Sequence, residues 1–477
     1  MDPLLIILIG TATVLICIIK LKLHAAVSLL FAALITALLT SPEQIMAFAT
    51  YQEMGEKEAQ ALMNMSLGKR LASAFGNTSG KIGILIALAS IIGAGLMRSG
   101  GAEKIIRALL KLFGKKNTSV ALLSGSFALA IPVFFDTVFY LMIPLVKAVG
   151  VRNPKKFGLY LMTIIAGGVM AHSLIPPTPG PLFVAEEMGI DLGAMIIGGL
   201  CVGAITVICG YIYAIWANKR WDLPMRDTPE MKIDDLKQFS EKTSEELPSL
   251  WLSLLPVLLP ILLITGNTFS RMALDSAGNQ ASDLQRQIAS IFSTLGDANI
   301  ALFISTIIVL YLLWKRLKDM VLFKKFIYEA LSGAGMIILI TSAGGAFGQM
   351  LQQTGIGIRV GELAANYQMA ILPLAFFITA GVRTAQGSAT VAMVTAIGVI
   401  GSIGQADLAF HPVYLALAIG CGSKIFAWMN DSAFWIITKM SGMEEKETIR
   451  FFSILLMVMG FSGLFAVMIL SKLLPFV

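Results

Sequence analysis

Long stretches of apolar residues without a charged side chain recur along this chain. Residues 3–19 and 24–40 are two of them. A helix needs ~20 apolar residues to cross a bilayer, whereas buried strands of soluble proteins have only ~4–8. Of the 477 residues, 56% are hydrophobic and 14% are charged, against ~25% charged in soluble domains. The sequence therefore predicts an all-α polytopic membrane protein, and excludes a soluble enzyme or a nucleic-acid-binding protein.

Ten segments are predicted to cross the bilayer, and two more to enter and leave by one face. The ten crossings are 4–20, 24–40, 80–97, 157–188, 191–217, 250–266, 298–314, 330–351, 411–440 and 450–471. The stretches 117–147 and 369–404 are too long for one span and too short for two, which favours re-entrant helical hairpins. With both termini outside, most of the 36 Lys and Arg residues face the cytoplasm, as the positive-inside rule requires.

Three pairs of segments align in the same order at a nearly constant offset. They are 93–105 with 348–360, 136–142 with 387–393, and 168–180 with 420–432. Each half has five crossings. Because five is odd, the second half begins on the other side of the membrane and is inverted relative to the first, an arrangement typical of secondary transporters. We therefore predict a first inverted repeat at 1–217, a cytoplasmic linker at 218–249 and a second repeat at 250–477. Each repeat has five crossings, one of them broken (157–188 and 411–440), and one hairpin.

The segment HSLIPPTPGP at 172–181 interrupts a predicted crossing with four prolines. Proline lacks an N–H and breaks a helix, and broken backbone at membrane depth must be buried or line a watery cavity. The free N–H groups at the ends of half-helices suit an anion. His172, Thr178 and Gly180 are therefore candidate substrate-binding residues. The alternatives are a kink without a ligand and, for His172, a packing role in place of proton handling.

Two carboxylates are predicted to lie at membrane depth. Asp136 follows two aromatic residues at the tip of the first hairpin, and Asp431 lies in the second predicted break, between Asn430 and Ser432. Carboxylates inside a membrane are costly and usually functional, so we expect Asp136 and Asp431 to carry coupling protons. Thr137 and Ser432 are further candidates. Capping of a helix N-terminus is the alternative for both acids.

The second hairpin is predicted to carry the main substrate-binding group at its tip. Arg383 precedes a run of small and polar residues, and a guanidinium can grip a carboxylate through two parallel hydrogen bonds. The alternative is a structural ion pair of Arg383 with Asp431 or Asp136. Lys424 is either a counter-ion or a side chain that extends to the cytoplasmic surface. The binding candidates in these two segments are Arg383, Gln386, Gly387, Ser388, Thr390 and Asn430.

No cofactor or metal site is predicted. The four cysteines lie in apolar stretches without a CxxC pair. Protons are the expected coupling ion, held by the two carboxylates. Sodium, held by Asn430, Ser388 and backbone carbonyls, is the alternative.

Four motifs resemble those of the gluconate permease family of sugar-acid:proton symporters, within the wider ion-transporter superfamily. They are FFDTVFYLMIPL at 134–145, HSLIPPTPGP at 172–181, GSATVA at 387–392 and NDSAFW at 430–435. The resemblance implies import of gluconate or a related small sugar acid or hydroxy-carboxylate by proton symport in the inner (cytoplasmic) membrane. It also implies a homodimer, in which the hairpins and broken helices move against a scaffold as an elevator.

The chain departs from these family motifs at four positions. Thr178 replaces a histidine, Asp136 stands where glutamate is common, and Gln386 and Lys424 occupy positions expected to be apolar or variable. These positions fall in the expected binding region, so the resemblance predicts a class of substrate and not one sugar acid. A sodium-coupled carboxylate transporter and a gated anion channel are the alternative functions.

Overall fold

The described part of the chain is helical. The structure is a computed structural model, and it describes residues 1–228, 247–277, 282–356, 370–401 and 408–475. Some predictions concern residues outside these ranges. They are the predictions for 229–246 of the linker, for 369 and 402–404 of the second hairpin, and for 357–360 of the repeat alignment. All regular secondary structure in the described ranges is helical, which confirms the predicted all-α class.

Residues 1–228 form the helices α1 to α11, with two breaks inside apolar segments. They are α1 (Pro3–Leu15), α2 (Ala25–Leu39), α3 (Pro42–Tyr51), α4 (Glu56–Asn64), α5 (Leu67–Ser99), α6 (Gly101–Phe113), α7 (Thr118–Leu129), α8 (Phe135–Arg152), α9 (Phe157–Leu174), α10 (Pro179–Glu187) and α11 (Leu192–Arg220).

The described residues from 247 onward form the helices α12 to α21, again with two breaks. They are α12 (Leu250–Ala277), α13 (Asp283–Leu295), α14 (Ala298–Leu317), α15 (Met320–Gln352), α16 (Ile371–Gln386), α17 (Ala389–Ile400), α18 (Val413–Gly422), α19 (Ser432–Ser441), α20 (Glu445–Thr448) and α21 (Ile454–Leu473).

Seven helical segments among the described residues are long and apolar enough to cross a membrane. They are α5, α9 with α10, α11, α12, α14, α15 and the segment Glu445–Leu473. The pair α2 and α3, bent by 101°, raises the number to eight if it forms one span. Of the predicted crossings, α18 is an apolar helix of 10 residues, too short to span alone, and α1, 13 residues long, continues into a π-helical segment at Ile16–Lys20. The number of candidate spans agrees with a multi-pass protein, and the count of ten crossings stays a prediction.

Several short helices are not predicted by a search for long apolar runs. Among them, α3 and α13 each begin at a capping box, formed by Ser41 with Gln44 and by Ser282 with Gln285. In such a box the side chains of the two residues satisfy backbone N–H groups that the first turn leaves free. These helices carry polar residues on one face, so their sequences lack the uniform hydrophobicity that predicted the spans.

Four breaks interrupt the apolar segments at 130–134, 175–178, 387–388 and 423–431. The first contains Pro132 and the second contains Pro176 and Pro177, which cannot continue a helix because they lack an N–H. The third begins at Gly387, whose φ of +87° lies in the left-handed region. A new helix starts directly after each break, so four helix N-termini lie inside the protein.

The broken segments lie at the centre of the molecule. The apolar core of Pro154–Glu187 is 94% buried by other parts of the protein, whereas that of Leu250–Leu274 is 33% buried. Helix α9 packs against α7, α8 and α11, while the long helices α5 and α15 pack against each other. A Cβ placed on Gly345 would lie 2.6 Å from the Cβ of Thr78, so glycine is what permits this close approach.

Candidate substrate-binding site

A cavity of about 360 Å³ lies where the four breaks meet. The first turns of α8, α10, α17 and α19 all contribute residues to its wall. The N–H groups of a first turn have no partner within the helix, and the helix dipole places partial positive charge there. In α10, Pro179 and Pro181 carry no N–H. In α17 and α19 the side chains of Ser388 and Asp431 already accept from first-turn N–H groups. The four helix ends therefore offer an anion mainly their dipoles and the N–H groups that remain.

Arg383 on α16 and Asp431 at the start of α19 form a buried ion pair in the cavity wall. The Arg383 Nη2 group donates to Oδ2 of Asp431, and Oδ1 of Asp431 accepts from the Ala433 N–H at 2.9 Å. The structure therefore contains both alternatives weighed from the sequence, the ion pair and the helix cap. The Nε and Nη1 groups of Arg383 are buried without an acceptor in the described part of the chain.

Lys424 and Asp136 face the same cavity from two other breaks. The Lys424 side chain is 3% exposed, so it does not extend to the cytoplasmic surface, and that interpretation is wrong. Within the described ranges, the Lys424 side chain forms no hydrogen bond or ion pair; Arg383 and Asp431 act on it electrostatically. Asp136 is half-buried in the first turn of α8. With both carboxylates ionised, the formal charges of these four residues cancel.

Uncharged polar groups complete the hydrophilic side of the cavity. The ring of His172 packs edge-on against Phe134 with 5.8 Å between centroids, and its Nδ1 is buried without a partner among the described residues. Hydroxyl groups come from Ser388, Thr390 and Ser432. Eight residues predicted from the sequence therefore line the cavity: Asp136, His172, Arg383, Ser388, Thr390, Lys424, Asp431 and Ser432.

Three other predicted residues lie at the third and fourth breaks, 387–388 and 423–431, or directly beside them, and do not line the cavity. The Gln386 amide donates to the Ser388 carbonyl at 2.6 Å, and the Asn430 amide donates to the Thr384 carbonyl at 2.7 Å. A Cβ on Gly387 would lie 2.1 Å from the Asn430 carbonyl oxygen. The hydrogen bond of Asn430 and the missing side chain at Gly387 allow the fourth break to pack closely against the third.

Thr178, Gly180 and Thr137 also lie outside the cavity wall. The Thr178 hydroxyl donates to the Ile175 carbonyl at 2.6 Å, within the proline-rich break. Gly180 lies in the first turn of α10 against the end of the Met393 side chain. All three residues lie near the breaks, and none of them lines the cavity.

Part of the cavity lining is apolar, comes from two further helical segments and was missed by sequence analysis. Ile337 and Ile340 come from α15, and Phe452 and Leu456 from the last candidate span. In a chain that is 56% hydrophobic, nothing in the residue types distinguishes these four from residues that face lipid. The tertiary structure alone identifies them.

Comparison with known proteins identifies the family. The model of the family described as GntP family permease matches residues 2–473. The chain belongs to this family. The resemblance found in the four motifs is thereby confirmed.

Relatives of this permease cover nearly its whole length. An uncharacterized permease of Haemophilus influenzae is 32% identical over 93% of this chain and 86% of that protein. A gluconate permease of Pseudomonas aeruginosa is 30% identical over 84% and 87%, and the high-affinity gluconate transporter of Escherichia coli is 27% identical over 97% of each chain. These relatives are permeases and transporters and not enzymes, as predicted.

A solved structure shares the fold. The crystal structure of the YdaH transporter of Alcanivorax borkumensis superposes with a TM-score of 0.55 at 12% identity, covering 84% of this chain and 88% of that one. The permease is therefore a helical, multi-pass membrane transporter of a small molecule. The repeat boundaries, the inverted arrangement, the external termini and the homodimer stay predictions.

Proposed function

We propose that this permease imports gluconate or a related small sugar acid together with protons. The observation that carries the proposal is the convergence of four helix N-termini, Arg383 and Lys424 on one cavity. Its volume of about 360 Å³ falls within the ~300–1,000 Å³ of small-molecule sites. The gluconate permeases among its relatives support a sugar acid as substrate.

The substrate carboxylate is proposed to bind at Arg383. The Nε and Nη1 groups of this residue have no acceptor among the described residues, and a buried donor left unpaired costs ~1–3 kcal/mol. A carboxylate would satisfy these donors through charge-assisted hydrogen bonds. The hydroxyls of Ser388, Thr390 and Ser432 would then meet the hydroxyls of the sugar chain.

Proton coupling is proposed to follow from the charge balance of the cavity. Its two carboxylates and two cations sum to zero, so a bound monoanion leaves a net charge of −1. A charge at membrane depth costs at least ~2.5–3.5 kcal/mol, and one proton bound with the substrate removes it. Asp431 already accepts from Arg383 and from Ala433, whereas Asp136 has neither contact. We therefore assign the proton to Asp136.

Transport by an elevator movement is proposed from the division of the cavity wall. All its charged and hydroxyl-bearing residues belong to α8, α9 and the hairpin and break segments of the second half. The facing residues of α15 and the last span are apolar and offer a sugar acid no hydrogen bond. The substrate would therefore travel with the broken segments while the apolar wall stays in place.

The proposed inverted repeats, 1–217 and 250–477, have supporting features in the helix pattern. Helices α5 and α15 have 33 residues each, and each precedes a hairpin segment with one break and then a second broken segment. The homodimer rests on the family resemblance, and the external termini rest on the distribution of Lys and Arg.

Uptake into proteoliposomes tests the proposal. Purified protein should concentrate labelled gluconate when the pH gradient is inward, and should fail to do so when the gradient is collapsed. Accumulation driven by a sodium gradient at equal pH would replace protons with sodium. Non-saturable flux that never exceeds equilibrium would indicate a channel, and no uptake of any sugar acid would refute the substrate class.

A further inference from the structure

Lys424 is a buried cation whose partner is missing from the described chain. Its side chain is 3% exposed, it lines the cavity, and it forms no hydrogen bond or ion pair with a described residue. Lysine and arginine inside membrane proteins normally pair with an acid or with backbone carbonyls. The cavity itself is the remaining place from which an acceptor can reach this ammonium group.

Neither carboxylate of the cavity forms an ion pair or a hydrogen bond with the Lys424 side chain. Asp431 is held by Arg383 and by the Ala433 N–H. Asp136 lines the cavity from the first turn of α8, and no ion pair joins it to Lys424. The ammonium group therefore faces the cavity as a second cationic group beside the guanidinium of Arg383.

The two cations are presented by different parts of the site. Arg383 lies on α16, in the second hairpin, whereas Lys424 lies in the break after α18. Arg383 already carries one carboxylate, while Lys424 carries none. A ligand whose single carboxylate binds only Arg383 would leave the Lys424 ammonium without a hydrogen-bond acceptor. A ligand with a second acidic group would supply that acceptor, and its second negative charge would call for a second coupling proton.

We propose that Lys424 binds a second carboxylate of the substrate, so that the preferred substrates are dicarboxylic sugar acids. This inference rests on the proposed function, because it assumes that a sugar acid occupies the cavity. It assigns Lys424 as the residue that separates dicarboxylic from monocarboxylic substrates. A lysine suits this task because its ammonium is a compact point charge with three donors.

Gluconate and glucarate form a matched pair of probes, since they differ only in having a hydroxymethyl or a carboxylate at carbon 6. Binding of both is measured by calorimetry on the purified full-length protein and on Lys424→Met, which keeps the length of the side chain without its charge. Lys439→Met, at an exposed position on α19, controls for the loss of one lysine.

We expect the wild type to bind glucarate at least about tenfold tighter than gluconate, a difference of ~1.4 kcal/mol. Lys424→Met should lose that preference, because its affinity for glucarate should fall at least about tenfold further than its affinity for gluconate, and Lys439→Met should retain the preference. Glucarate binding no tighter than gluconate would overturn the inference and leave the proposed function intact. Binding of neither acid would overturn both.

Thermal stability separates a binding role from a structural one. A ligand that binds the folded protein stabilises it more the more tightly it binds. Glucarate should therefore raise the melting temperature of the wild type more than that of Lys424→Met. A lower melting temperature with equal loss of affinity for both acids would make Lys424 a structural residue.

Discussion

Replacement of Arg383 tests the centre of the proposed site. Arg383→Ala alone has two effects, because it removes the donors proposed for the substrate and leaves Asp431 buried without a partner. Breaking a buried ion pair from one side costs ~3–5 kcal/mol of stability. The informative comparison is therefore Asp431→Asn against Arg383→Ala/Asp431→Asn. Asparagine is able to cap α19 as aspartate does, and in the double variant neither member of the ion pair is left buried without its partner.

The expected loss of affinity follows from the contacts of the guanidinium. The Nη2 group of Arg383 donates to Asp431, while Nε and Nη1 have no acceptor among the described residues. A substrate carboxylate would accept one or two charge-assisted bonds there, each contributing ~1.5–3 kcal/mol. Since ~1.4 kcal/mol is tenfold, the double variant should bind gluconate at least about tenfold more weakly than Asp431→Asn.

Calorimetric titration with gluconate or glucarate measures this difference, on samples that are monodisperse by size-exclusion chromatography. Arg383→Lys in the same Asp431→Asn background should recover only part of the affinity, because lysine retains the charge and loses the planar arrangement of donors. Equal affinity of the double variant and Asp431→Asn, in folded samples, would remove Arg383 from the binding site and leave it a structural partner of Asp431.

Three further predictions concern coupling, backbone geometry and topology. Asp136→Asn should abolish uphill accumulation in proteoliposomes and retain part of substrate exchange; accumulation at the wild-type level would place the coupling proton elsewhere. Gly387→Ala should lower the melting temperature, because an L-residue at positive φ costs ~1–2 kcal/mol and its Cβ would overlap a neighbouring carbonyl oxygen. Gly381→Ala is the control and should leave the melting temperature unchanged, because the space around Gly381 is open. Single cysteines at Lys116 and Lys155, both exposed, should each react with an impermeant thiol reagent from the cytoplasmic side; labelling from opposite sides would refute the re-entrant hairpin.

The sequence predicted the helical class and the positions of the breaks because those features are local. Four prolines within 172–181 stop a helix wherever they occur, and an apolar run of membrane length is recognisable without its neighbours. The amphipathic helices, such as α6, were missed for the same reason. Their stability depends on packing one face against the protein, which no local hydrophobicity records.

The roles of the polar residues were harder to predict because tertiary contacts decide them. Arg383 and Asp431 are 48 residues apart, and only the fold shows that they pair. Asn430 and Gln386 have the amides expected of sugar-binding residues, yet both donate to backbone carbonyls at the breaks, those of Thr384 and Ser388. A broken helix inside a membrane must satisfy its own backbone before it can bind a ligand. Amides near a break are therefore weak candidates for substrate contacts, whereas a buried cation without an acceptor, such as Lys424, is a strong one.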